Sequence, residues 1–181
     1  ASSHFFPLIC PSSKILHIRE LIMYQVERLK INFKTVEEFK VFKEYGLQQL
    51  SMFEDLQANM IENNCESPFY GIYYGNKLVA RMSLYKRCEK NNQYFGSDQE
   101  YIELAKIEVL PEYQRKGLGS TLVSYAKSLG LPIKTIARIK SKNFWEKHGF
   151  FPVSYKIEGE SNSTLMIWLP NGETGEFAKI S

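Results

Sequence analysis

The amino-acid sequence predicts a single α/β domain in which helices cover both faces of a mixed β-sheet. The main observation is the order of periodic segments along the chain, which reads β-α-α-β-β-β-α-β-α-β-β. A length of 181 residues suits one domain, and a hydrophobic share of 44% can fill one core. The aromatic share of 14% also favours a sheet-rich core.

The first residues do not follow the pattern of the rest. Residues 1–22 show neither helical nor strand periodicity, whereas a regular domain pattern opens at Met23. We therefore expect an N-terminal extension or leader over residues 1–22 and a single domain over residues 23–181. A native N-terminal arm is the alternative. The apolar run over residues 5–10 is interrupted by Pro7 and follows no basic residue, so it is a poor signal peptide.

The first third of the domain is expected to contain one strand and two helices. Apolar and polar residues alternate over residues 28–33, which predicts a strand. Thr35 and Glu38 have the spacing of a capping box, so a helix is expected to begin at Thr35. Apolar residues at helical spacing then predict a second helix over residues 47–61.

The remaining elements follow from turn signals and apolar runs. Gly75 and Asn76 separate two runs rich in aromatic and branched residues, which predicts a β-hairpin. Gly130 follows a helical apolar face and is a typical helix stop. The predicted elements are strands over residues 69–74, 78–85 and 101–109, a helix over 117–129, a strand over 133–136, a helix over 142–148, and strands over 150–157 and 164–169.

The charge and cysteine content exclude several classes of protein. The 23 Lys and Arg residues are interspersed with 20 Asp and Glu residues, unlike the basic face of a nucleic-acid-binding protein. We expect no nucleic acid and no membrane as partners, since no stretch reaches the ~18 apolar residues of a membrane span. Cys10, Cys65 and Cys88 are widely spaced and match no zinc signature. They indicate free thiols, a cytoplasmic location and no bound metal.

A glycine-containing stretch after the third long strand carries the clearest chemical signal. Gly117 and Gly119 stand at the predicted start of a helix, where backbone N–H groups lack intrahelical partners and the helix dipole favours anions. Such a site suits a diphosphate, and Arg115 and Lys116 add positive charge at its rim. The lysine of a P-loop is missing, and so is the third glycine of a dinucleotide fingerprint, expected near Leu122.

The remaining pattern is Gln/Arg-x-x-Gly-x-Gly. Over residues 114–119, Gln-Arg-Lys-Gly-Leu-Gly, it resembles the pyrophosphate-arm motif of the GNAT acetyltransferase superfamily. Residues 109–113 resemble the family's V-x-P-x-Y/F lead-in, and residues 144–150 resemble its F-Y-x-K-x-G-F segment. The resemblance covers about residues 26–169 and is greatest to small, uncharacterised bacterial members. It implies the GNAT acyl-CoA N-acyltransferase fold, whose element order matches the one derived above.

The resemblance also implies a reaction and a cofactor site. An acetyl group would pass from acetyl-CoA directly to a primary amine on a small molecule or peptide, in a monomer or homodimer. The third long strand would splay from its neighbour, so that its backbone pairs with the pantetheine arm. Backbone amides of residues 115–120 would hold the diphosphate, and the acceptor would enter past the early helices and the 88–99 loop. The implied cofactor-binding residues are Ile107, Val109, Gln114, Arg115, Lys116, Gly117, Leu118, Gly119 and Ser120.

Glu103 is the predicted general base. Transfer needs a neutral amine, and a lysine-type amine has a pKa of about 10.4, so a base assists at neutral pH. Counted back from the glycines, Glu103 falls where the histone-acetyltransferase branch of the family carries its general-base glutamate. A solvated strand carboxylate is an equally weighted alternative. Strict alternation puts Glu103 on one strand face with Ala105 and Ile107, and Glu108 on the other.

One position departs from the family pattern. Many members have a tyrosine that protonates the departing thiolate, and Trp145 stands there instead. Arg138, seven residues earlier, replaces a frequent asparagine. Because an indole is no practical proton donor, water or another group would protonate the thiolate. A catalytically impaired acyl-CoA-binding module is therefore the alternative function, which Trp145 favours and Glu103 opposes.

Overall fold

A computed structural model describes residues 24–42, 51–62, 66–90, 94–95, 98–153 and 163–172. These residues contain a seven-stranded sheet of order β1-β2-β3-β4-β5-β7-β6, in which β4 and β5 are parallel and the other neighbours antiparallel. The predicted mixed sheet and element order are confirmed. The elements are β1 Val26–Arg28, α1 Phe33–Phe39, α2 Met52–Glu62, β2 Phe69–Tyr74, β3 Lys77–Cys88, β4 Glu100–Val109, α3 Leu118–Ser128, β5 Ile133–Arg138, α4 Lys142–Lys147, β6 Phe151–Pro152 and β7 Ser163–Trp168.

Each face of the sheet carries its own hydrophobic cluster, as a sheet with helices on both sides requires. On one face, Leu122 and Ala126 of α3 pack with Met82 and Leu104 of the central strands. On the other, α1 and α2 pack over β2 and the start of β3. Fully burying one large apolar side chain contributes about 1.5–3 kcal/mol to the stability of a fold. The two clusters therefore hold the helices on opposite faces of the sheet. The second cluster contains Leu29, Val36, Phe39, Phe42, Met52, Leu56, Phe69, Leu78 and Leu110.

The predictions for β1 and α1 are wrong in their boundaries. The strand expected over residues 28–33 is only Val26–Arg28, and the helix begins at Phe33. Asn32 is the N-cap, because its side-chain oxygen accepts the Thr35 N–H at 3.0 Å. The alternation of apolar and polar residues over residues 28–33 thus spans the end of the strand, the connecting residues and the first residue of the helix. Phe33, 80% exposed, lies on the helix surface.

The second helix begins at a signal that the apolar pattern did not include. The Ser51 N–H donates to the Glu54 carboxylate at 2.7 Å, and the Glu54 N–H donates to Ser51 Oγ at 3.1 Å. This reciprocal capping box stabilises a start at Met52, later than the predicted residue 47. The segment from residue 43 to residue 50 lies outside the described residues, as do the predicted extension over residues 1–22, residues 154–157 of the predicted strand, Cys10 and Cys65.

The β-hairpin is confirmed, with its turn at Gly75 and Asn76. Strand β3 runs three residues beyond the predicted end at Tyr85, because its partner β4 stays in register as far as Cys88. In the part of the chain that the structure describes, no helix is long and apolar enough to cross a membrane.

Candidate active site

A β-bulge at Ala105 interrupts the alternation of side chains along β4. Ser83 of β3 pairs with Lys106, whereas the next residue of β3, Leu84, pairs with Leu104. Strand β4 therefore has one extra residue, Ala105, at this point. A bulge of this kind exchanges the two faces for all residues beyond it. Ile107 accordingly packs against the same hydrophobic cluster as Leu104.

Glu103 and Glu108 consequently lie on the same face of β4. Strict alternation placed Glu103 with Ile107 and put Glu108 opposite, and both parts of that prediction are wrong because the alternation included no bulge. The shared face is the one covered by α1 and α2. Arg81, which pairs with Glu108, lies over the Phe39 ring of α1.

Strands β4 and β5 diverge after a short parallel contact. Their pairing joins residues 102–104 to residues 133–135, and the hydroxyl of Thr135 donates to the Leu104 carbonyl at 2.9 Å. Strand β5 then continues to Arg138 paired with β7. Among the described residues, no strand pairs with β4 on this side beyond Leu104. The divergence leaves an opening beside the second half of β4, as the family resemblance implies.

Ile107 and Val109 turn backbone groups towards this opening. The Leu110 N–H donates to the Val79 carbonyl at 2.9 Å, which makes Val109 and its partner Ala80 a non-hydrogen-bonded pair. The amide and carbonyl of such a residue point away from the paired strand. Ile107, two residues earlier, has the same orientation. The side-chain amide of Gln114 donates to the Val109 carbonyl at 3.1 Å and closes one end of the opening.

The chain after β4 forms a turn of backbone donors at the start of α3. Arg115 has a φ of 59° and Gly117 a φ of 87°, both in the left-handed region. A side chain at Gly117 would be strained by that φ, although a Cβ there would meet no atom within 4 Å. The first helical hydrogen bond runs from the Thr121 N–H to the Gly117 carbonyl at 2.9 Å. The N–H groups of residues 118–120 thus precede the helical ladder and are directed out of the helix end.

Gly119 has a packing role that the sequence did not reveal. A Cβ at this position would lie 3.4 Å from two ring atoms of Phe144, so the missing side chain lets α4 approach α3. Leu118 is buried in the core and can offer a ligand only its backbone. Arg115 and Lys116 are exposed, and the Lys116 ammonium lies 5.0 Å from the centre of the Tyr113 ring.

Glu103 lies on the face of β4 that looks towards α2. Its side chain is 34% exposed and accepts a hydrogen bond from Arg87 Nε at 2.9 Å. Its partner on β3 is Tyr85, whose hydroxyl donates to Asp55 of α2. Burial, together with this bond, raises the pKa of Tyr85 and keeps its phenol protonated at neutral pH. The partly exposed carboxylate of Glu103 can accept a proton directly or through water.

Trp145 is a core residue. It is 3% exposed and packs edge-to-face against Phe144 and Phe150, at ring-centre distances of 5.2 and 5.1 Å. The large ring fills the space between these two neighbours, and position 145 supplies no phenol for catalysis. Arg138 is exposed at the end of β5.

Two residues near the site escaped the sequence analysis. His148 Nε2 lies 3.1 Å from Ser120 Oγ in the first turn of α3, and the bond joins residues 28 positions apart. Burial, reinforced by the nearby Lys127 charge, lowers the pKa of His148. Arg81 pairs with Glu108 inside the protein. The only sequence signal for His148 was its place inside the 144–150 segment, and Arg81 gave none. Among the described residues, no cluster of His, Cys, Asp and Glu could hold a metal ion.

Comparison with known proteins identifies the family. Residues 33–150 match the profile of the Acetyltransferase (GNAT) family. The chain belongs to this GNAT family. It is accordingly an acyltransferase of the GNAT type, and the predicted family, fold and enzyme class are confirmed.

The relatives are bacterial proteins of similar length. An uncharacterized N-acetyltransferase of Bacillus licheniformis is 59% identical over 154 residues, which cover 85% of this chain and 97% of the relative. The uncharacterized N-acetyltransferase YlbP of Bacillus subtilis is 56% identical over 149 residues, covering 82% and 93% of the two chains.

Solved structures agree with the fold. The crystal structure of the Bacillus subtilis N-acetyltransferase YlbP in complex with coenzyme A matches with a TM-score of 0.67, at 56% identity over 82% of this chain and 98% of that one. The NatB acetyltransferase complex bound to a bisubstrate inhibitor matches with a TM-score of 0.60, at 18% identity over 84% and 93% of the chains. The NatB likeness concerns the fold alone.

Proposed function

We propose that this GNAT enzyme transfers an acetyl group from acetyl-CoA to a primary amine by direct attack. The observation that carries the proposal is the opening beside the second half of β4, which is followed along the chain by the donor turn at the start of α3. An extended thioester cofactor with a diphosphate at its far end suits this arrangement. The coenzyme A bound to YlbP, 56% identical to this chain, supports the same assignment here.

The cofactor would be held chiefly by backbone groups. The N–H groups of residues 118–120 suit the diphosphate, because they converge at a helix end and are already ordered by the fold. The open space beside Gly117 leaves room for the ligand. Backbone groups of Ile107 and Val109 suit the amides of the pantetheine arm. Arg115 and Lys116 would add positive charge at the rim of the diphosphate site, whereas the backbone groups would fix the position of the cofactor.

Glu103 is proposed as the group that removes a proton from the amine. Acetyl-CoA supplies the thioester, so a C–N bond forms as the C–S bond breaks and the thiolate leaves. The proton released by the nitrogen passes to the Glu103 carboxylate, directly or through water. The ion pair with Arg87 holds this carboxylate in place without burying it.

Protonation of the thiolate is assigned to water. Trp145 is buried and lacks an acidic hydrogen, and the Tyr85 hydroxyl is engaged with Asp55 and has a raised pKa. A thiol has a pKa of about 8.5, so its thiolate is a tolerable leaving group near neutral pH. The reaction therefore does not require a dedicated acid.

The acceptor is proposed to approach on the α1 and α2 side of the sheet. Glu103 faces that side, whereas α3 and α4 cover the other face. A small molecule or a peptide carrying a primary amine fits this proposal. The exposed free thiol of Cys88 agrees with the expected cytoplasmic location.

A catalytically impaired acyl-CoA-binding module is the second candidate, and the burial of Trp145 at the usual tyrosine position favours it. Two measurements on the full chain separate the candidates. Calorimetry should detect coenzyme A binding, and a thiol-release assay with acetyl-CoA over polyamines, amino sugars, lysine and peptides should show turnover with at least one amine. Binding without turnover on any amine would favour the module. Absence of binding would contradict both.

A further inference from the structure

The imidazole of His148 reaches the first turn of α3 from the end of α4. Its Nε2 lies 3.1 Å from the hydroxyl oxygen of Ser120, whose own N–H is one of the donors at the helix end. The side chain of Ser120 thus connects His148 to the turn proposed to hold the cofactor diphosphate. The inference below rests on that proposed function.

Neighbouring groups hold the imidazole in this position. The Phe144 ring lies 4.7 Å from it, centre to centre, at an interplanar angle of 61°. The same Phe144 ring lies 3.4 Å from the position that a Cβ on Gly119 would occupy. On the other side, the Lys127 ammonium donates to the backbone carbonyl of His148. The imidazole is therefore half-buried and packed, and these contacts restrict its movement relative to Ser120.

Burial and a neighbouring positive charge both lower the pKa of His148 in the free protein. Lys127, from α3, is the charged group that faces it among the described residues, and it acts with burial to lower the pKa of His148. On its own segment, Glu146 and Lys147 are exposed. Helix α4 places the uncharged Phe144 ring against the imidazole, and the Lys127 ammonium also lies 5.1 Å from the centre of the Trp168 ring of β7. The Glu146 carboxylate lies 3.7 Å from the Lys142 ammonium.

We propose that His148 is a positioning residue for the cofactor: its bond to Ser120 fixes the donor turn, and a bound diphosphate draws a proton onto its imidazole. A diphosphate at the helix end places negative charge close to the ring, which favours the charged imidazolium. In that state Nε2 donates to Ser120 Oγ, so the bond persists while the charge attracts the ligand. By linkage, binding that takes up a proton strengthens as the pH falls.

The test is calorimetric titration of the full chain with coenzyme A at pH 8.0 and pH 5.5. His148→Gln keeps a polar group that can reach Ser120 but cannot titrate. His148→Phe keeps an aromatic ring and loses the bond, and Ser120→Ala removes the bond from the other side. Because coenzyme A has phosphates that titrate themselves, each variant is compared with the parent at the same pH, and melting temperatures confirm that the variants fold.

The expected results follow from one hydrogen bond and one proton. His148→Phe and Ser120→Ala should each weaken binding about two- to tenfold at pH 8.0, and the double variant should be no weaker than either alone. The ratio of parent to His148→Gln affinity should grow about threefold or more on going to pH 5.5.

Three results would overturn the proposal while leaving the proposed function intact, provided that the parent binds coenzyme A. The first is that His148→Phe and Ser120→Ala bind coenzyme A as tightly as the parent. The second is that the losses of affinity in the two single variants add fully in the double variant. The third is that the ratio of parent to His148→Gln affinity is the same at pH 8.0 and pH 5.5. A lowered melting temperature with unchanged affinity would reveal a purely structural role and would also overturn it. A parent chain that does not bind coenzyme A would overturn the proposed function and this inference together.

Discussion

Arg81 and Glu108, facing each other across β3 and β4, form an ion pair inside the protein. Arg81 is 0% exposed, and its Nη2 and Nε lie 2.6 and 3.0 Å from Glu108 Oε2. The guanidinium carbon also lies 4.4 and 4.3 Å from the ring centres of Phe39 and Phe42. Glu108 stands between Ile107 and Val109, so the pair ties the strand at the proposed pantetheine site to α1.

The first prediction is that Glu108→Ala strongly destabilises the fold. Removing the carboxylate takes a hydrogen-bonded counter-charge away from a buried guanidinium, and breaking a buried ion pair costs about 3–5 kcal/mol in comparable cases. Because the Glu108 side chain is 21% exposed, we expect the lower end of this range. Denaturant unfolding monitored by circular dichroism measures the change.

Glu112→Ala is the matched control for this change. Its ion pair with Lys77 has an N–O distance of 2.8 Å, close to that of the buried pair, but both side chains are about half exposed, at 49% and 54%. An exposed pair of this kind contributes little. Equal losses of stability in the two variants would contradict the claim that the ion pair of Glu108 contributes more because it is buried.

Local signals in the sequence were enough to predict the element order, the hairpin and the donor turn. Periodicity and glycine positions depend on only a few neighbouring residues, and most of the fold could be predicted from them. The bulge at Ala105 could not be predicted, because it depends on the register between two strands rather than on either strand alone. The bond between Ser120 and His148 joins residues 28 positions apart and likewise needs the tertiary fold.

The second prediction concerns Glu103. If it accepts the amine proton, Glu103→Gln should lower turnover about 100-fold while the affinity for coenzyme A stays similar, because the amide cannot take up the proton. Steady-state thiol release over a range of pH, together with calorimetry, measures both quantities.

Glu100→Gln is the control on the same strand, since Glu100 is exposed and paired with Lys86 at 2.9 Å in a similar ion pair. It should retain turnover. Turnover of Glu103→Gln equal to that of the parent at every pH would identify Glu103 as a solvated strand carboxylate instead.

The third prediction is that a chain beginning at Met23 keeps the cofactor affinity and the melting temperature of the full chain. The regular pattern of the sequence opens at Met23, and Tyr24 and Val26 already pack against the main hydrophobic cluster. Calorimetry and thermal unfolding of the shortened chain check this prediction, and a large loss of either property would show that residues 1–22 belong to the domain.

The fourth prediction tests where the diphosphate binds. Gly119→Glu should give a folded protein with little affinity for coenzyme A, because a carboxylate would stand close to the donor turn and repel the ligand. The effect of bulk must be separated from the effect of charge, since any side chain at Gly119 meets the Phe144 ring at 3.4 Å. Gly119→Gln supplies that control: it presses on Phe144 with the same shape but carries no charge.

The comparison between these two variants therefore isolates the electrostatic contribution. Both should melt at similar temperatures, and both should bind more weakly than the parent, but Gly119→Glu should be about tenfold weaker still, in line with the several kcal/mol that juxtaposed like charges can cost before screening. Raising the salt concentration should narrow the difference, because charges near the surface are screened over about 10 Å at 0.1 M ionic strength. Arg115→Ala should have a milder effect than either, since the backbone donors remain. Equal affinities of Gly119→Glu and Gly119→Gln at low salt would mean that no anionic group binds beside this turn, and the cofactor would have to lie elsewhere.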